Sequence, residues 1–74
     1  MILSETQIKT FDHLRMLGST VTPISSNENG EVTAVVRNND PLKTIRLIKY
    51  GIRCRYVGFE IINEARAVEL EKSI

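Results

Sequence analysis

The chain has 74 residues, enough for one domain and too few for two. Hydrophobic residues make up 42% and charged residues 26%, the balance of a folded chain rather than a disordered one. A net charge of +1, a single cysteine (Cys54) and a single histidine (His13) exclude an internal disulfide, a Cys/His zinc site and any global pull toward nucleic acid or an anionic membrane. One core below ~70–80 residues rarely supplies more than ~3–5 kcal/mol, so burial against a second copy or a partner is expected to help. No apolar run approaches the ~20 residues of a membrane span. The start, Met1-Ile2-Leu3-Ser4-Glu5, lacks the features of a secretory signal, and a lone thiol suits a reducing compartment. A cytoplasmic protein is the expectation.

The first helix is expected at about residues 5–17. Ser4 and Gln7 form a capping box, Leu3 and Ile8 a hydrophobic staple, and Gly18 a left-handed stop. Ile8, Phe11, Leu14 and Leu17 recur at helical spacing and are its expected buried face. A β-hairpin follows. Asn29-Gly30 is the signal of a tight type I′ turn, set between Thr20-Val21-Thr22-Pro23-Ile24 and Val32-Thr33-Ala34-Val35-Val36. Pro23 cannot donate to a ladder, which places the first strand at a sheet edge.

Asp40-Pro41 reads as the cap and first position of a second helix, with Leu42, Ile45, Ile48 and Ile52 as its buried stripe and Gly51 at its end. Residues 53–61 alternate and are β-rich, so they read as a strand packing Val57, Phe59 and Ile61 inward. Residues 64–73 are good helix formers with Asn63 as cap and Ala67, Leu70 and Ile74 as an apolar face. The same segment can also close a second hairpin with Val68 opposite Phe59, so a fourth strand is the alternative. The expected fold is a single α+β domain: helix, β-hairpin, helix, strand, then a C-terminal helix. Its sheet is mostly antiparallel, with the helices packed on one face.

No constellation for catalysis stands out. His13 falls on the polar face of the first helix, and Asp12 beside it in sequence does not face it. Cys54 alternates away from Arg53 and Arg55, which suits a small apolar filler rather than an activated thiol. Phosphate-loop, zinc-protease and serine-hydrolase motifs are absent. The expectation is therefore a non-enzymatic protein without a cofactor.

Charge is segregated, however. Between Asp40 and Glu60 every charged residue is basic: Lys43, Arg46, Lys49, Arg53 and Arg55. On a helix, Arg46, Lys49 and Arg53 line one face, with Lys43 flanking and Tyr50 beside them. Such a stripe suits an acidic protein surface. The alternative is the phosphates of a single-stranded nucleic acid, with tyrosine stacking. Leu47, Val35, Ile24, Ile62 and Met16 fit no single core, which points to a homodimer or partner interface. Together these features describe a small binding module (a regulator, adaptor or inhibitor) acting through another protein's surface.

Overall fold

In the computed structural model, which describes residues 1–73, α1 spans Glu5–Met16 and begins on the expected capping box. The Gln7 N–H donates to the Ser4 hydroxyl at 3.1 Å, and the Ser4 N–H donates to Gln7 Oε1 at 2.8 Å. Gln7 is completely buried, and its Nε2 donates to the Gly30 carbonyl at 2.9 Å and the Gly51 carbonyl at 3.1 Å. This clasp sets the roll of the helix. The face toward the sheet runs through Gln7, Phe11 and Leu14, while Ile8 and Leu17, expected on that face, are exposed.

The hairpin forms from β1 (Thr20–Ser26) and β2 (Val32–Arg37). Its connection is longer than the expected type I′ turn. The Gly30 N–H donates to the Asn27 carbonyl, and Asn27 Oδ1 accepts from the N–H groups of Asn29 and Glu31. Only Gly30 adopts positive φ (76°), whereas a type I′ turn needs it at Asn29 as well.

The expected second helix is instead β3 (Ile45–Tyr50), paired with β2 along its whole length. Asp40 caps a turn rather than a helix. Its Oδ1 accepts from the Thr44 N–H, its carbonyl accepts from the Lys43 N–H, and Lys43 sits at φ 52°. Ile45-Arg46-Leu47-Ile48-Lys49-Tyr50 has apolar residues on both faces of the strand. A doubly covered strand imitates helical spacing for that reason. A tight turn then leads to β4 (Tyr56–Ile62), and α2 (Glu64–Glu71) follows, capped by Asn63.

The result is an α+β domain with a four-stranded antiparallel sheet in the order β1-β2-β3-β4. The helices take opposite faces of that sheet rather than sharing one. Phe11 of α1 packs with Val21, Val32, Ala34, Val36, Ile48 and Tyr50. Ala67 of α2 packs with Val35 and Ile62, joined by Ile24, Ile45, Leu47 and Leu70. Four of the five apolar residues that fitted no single core therefore form a second one, leaving only Met16 exposed. Ile74, expected on the apolar face of α2, lies outside the described residues.

Arg37, at the end of β2, holds α2 in place. It donates to Glu71 through Nε at 3.2 Å and Nη2 at 2.6 Å, and to Glu64 through Nη1. The paired carboxylates raise the Arg37 pKa, and the Arg37 hydrogen bonds hold the Glu71 carboxyl below its ordinary value.

Candidate functional site

β3 divides the six residues expected to form a basic stripe. Residues opposite one another in an antiparallel pair share a face. Arg46, opposite Val36, therefore lies on the α1 face, and Lys49, opposite Thr33, on the α2 face. Lys43 is in the β2–β3 turn, and Arg53 and Arg55 are exposed in the β3–β4 turn. Tyr50 is 1% exposed, out of reach of any stacking partner. Its ring meets Phe11 and Tyr56 edge-on at 5.1 and 5.4 Å, and burial pushes its hydroxyl pKa up. Cys54 occupies a left-handed position (φ 60°) in the same turn, half-buried against the α1 core. His13 is exposed on α1.

What the structure brings together is β4. Val57, Phe59 and Ile61, expected to point inward, are 52%, 60% and 67% exposed, and Tyr56 is 65% exposed. The physical reason is coverage. A helix ~10 Å across covers about two strands at ~4.8 Å spacing. The contacts of α1 concentrate on β1, and those of α2 on β1, β2 and β3. β4 pairs only with β3, so its outer row of backbone N–H and C=O groups faces solvent. Of its seven residues only Glu60 is charged.

A cleft lies beside the strand on each face of the sheet. On the α1 face, about 220 Å³ is bounded by Leu14, Arg46, Ile48, Tyr50 and Phe59. On the other face, about 380 Å³ is bounded by Thr33, Leu47, Lys49, Gly58 and Glu60. Lys49 stands opposite Gly58, and Glu60 opposite Leu47. Neither charge has an ion-pair partner among the described residues.

Sequence reasoning missed this site because alternation alone does not say which strand the helices leave bare. The available signals were Gly58 within the strand, a lone charge at Glu60, and a final helix too short to cover four strands.

Among the described residues no group of three His, Cys, Asp or Glu side chains could hold a metal ion, and no helix is long and apolar enough to cross a membrane. No family model, no curated protein and no solved structure matches this chain.

Proposed function

We propose that the protein is a non-enzymatic binding module, an adaptor or inhibitor in type, that engages another polypeptide by accepting its strand along β4. The observation that supports this reading is the bare edge itself. β4 runs for seven residues with the outward-directed backbone groups of alternate residues unpaired, and Tyr56, Val57, Phe59 and Ile61 project into solvent. Main-chain bonding along an edge supplies affinity, and side-chain recesses beside it supply selectivity. Arg46 and Lys49 on β3, with Arg53 and Arg55 at the tip, favour a strand that carries a carboxylate. Division of these cations between two faces and a turn, with Tyr50 buried, weighs against a nucleic-acid groove.

Site-specific photocross-linking in cells tests the reading. A benzophenone amino acid in place of Phe59 or Ile61 is expected to give a discrete protein adduct, and the same probe at Thr22 or Ser25 of β1 to give none. Equal labelling from both edges, or no adduct from β4, contradicts it.

A further inference from the structure

The reading of β4 as a docking edge leaves the identity of the added strand open, and the charges around β4 narrow it. We infer that the strand is β4 of a second copy, so that two chains form a two-fold dimer with one continuous sheet.

A two-fold axis through the sheet pairs residues symmetrically about its centre, and opposed residues must share a face. The centre therefore falls on a residue, and three residues near the middle of β4 qualify. Centring on Glu60 opposes two carboxylates, which is destabilising. Centring on Gly58 sets Glu60 against Tyr56, whose side chain lies on the other face beside Tyr50 because of the bulge between Lys49 and Tyr50. Centring on Phe59 opposes no carboxylates and confines the face mismatch to the ends of the ladder, where Ile62 meets Tyr56. It stacks the two exposed phenyl rings across the axis.

The same register solves the position of the one charge on the strand. Glu60 then lies opposite the partner's Gly58, which presents no side chain. A Cβ built at Gly58 meets nothing within 4 Å, so the space across it is open. Beyond it, in the same row, is Lys49 of the partner subunit, because Lys49 pairs with Gly58 within each chain. Two strand spacings, about 10 Å between backbones, are spanned by a glutamate and a lysine reaching toward each other. Symmetry makes the pair twice. The carboxylate that the basic surroundings of β4 favour is thus one the chain itself provides. Growth stops at two copies because the opposite edge, β1, carries Pro23 and a bulge between Pro23 and Ser25.

Sedimentation velocity of the purified full chain across a dilution series tests the inference, with circular dichroism and thermal melting as controls for folding. Wild type is expected to sediment as a dimer that dissociates on dilution. Gly58→Glu sets a carboxylate against Glu60 of the other copy but opposite Lys49 of its own chain. It is expected to weaken the dimer on the order of tenfold or more with folding intact. Glu60→Lys and Lys49→Glu should each weaken it as well, and their combination should recover most of the loss. A monomer at every concentration, or a dimer indifferent to these substitutions, overturns self-pairing. If the chain is monomeric while a Phe59 probe captures a different protein, the docking reading stands and the second copy is excluded. A monomer with no adduct from β4 removes both.

Discussion

β1 and β4 both border the sheet, and both have seven residues, yet they are finished in opposite ways. β1 has Thr, Ser and Pro side chains, a bulge, contacts from both helices, and a carbonyl at Val21 that accepts from Arg15 Nη2 at 2.9 Å. β4 has aromatic and branched apolar side chains, a single charge and little helical cover. A sheet edge is a template for pairing, and proteins usually blunt it. Here one edge is closed and the other is kept open at a cost in exposed apolar surface. The proposed role of β4 rests on that asymmetry.

The sharpest way to break this contrast is to remove a phenyl ring from each side of it. Phe11 is fully buried beneath β1 and β2, so Phe11→Ala is expected to cost about 3–5 kcal/mol in urea unfolding. Phe59 is mostly in solvent, and Phe59→Ala at concentrations that keep the chain monomeric should cost less than about 1 kcal/mol. Comparable losses would mean that β4 belongs to the core.

A smaller effect should come from the clasp that fixes α2 over the covered strands. Arg37→Met leaves Glu71 and Glu64 unpaired and is expected to cost about 1–2 kcal/mol near neutral pH. The Glu71 pKa is depressed in the folded state by its Arg37 hydrogen bonds. The stability it contributes is therefore fully present above the unfolded carboxyl value of 4.5 and disappears as pH falls through the lower folded value. The difference between wild type and Arg37→Met should accordingly shrink on acidification below that value. A gap independent of pH would show that the arginine acts through packing alone.

The smallest effect on stability sharpens the comparison most. Pro23→Val should change the unfolding free energy by less than about 0.5 kcal/mol, while restoring a backbone donor on β1. Assemblies larger than a dimer should then appear in light scattering. If none form, Pro23 is not what closes that edge.

The α+β class, α1 with its capping box, the β1–β2 hairpin and the terminal helix were legible in the sequence. Each is signalled locally, by Ser4 and Gln7, by the turn residues before Val32, and by Asn63 ahead of a run of helix formers. β3 was not legible, because Asp40-Pro41 serves a turn as readily as a helix start, and a strand buried on both faces scatters its apolar residues as a helix does. That single misreading moved the rest. With residues 45–50 in the sheet, Val35, Leu47 and Ile62 gained a second core, while Phe59 and Ile61 lost their cover. It also separated Arg46 from Lys49, which a helix had placed on one row. Whether a strand lies at the centre or the edge depends on pairing between distant segments, and no local pattern carries that.

Backbone hydrogen–deuterium exchange resolved by residue and followed against protein concentration tests the asymmetry of the two edges most directly. Outward-facing amides of β4 within residues 58–62 should exchange freely in dilute solution and slow markedly as concentration rises, while β1 stays unchanged. Slow exchange of these β4 amides even in dilute solution, or slowing confined to β1, would contradict the assignment of β4 as the open edge.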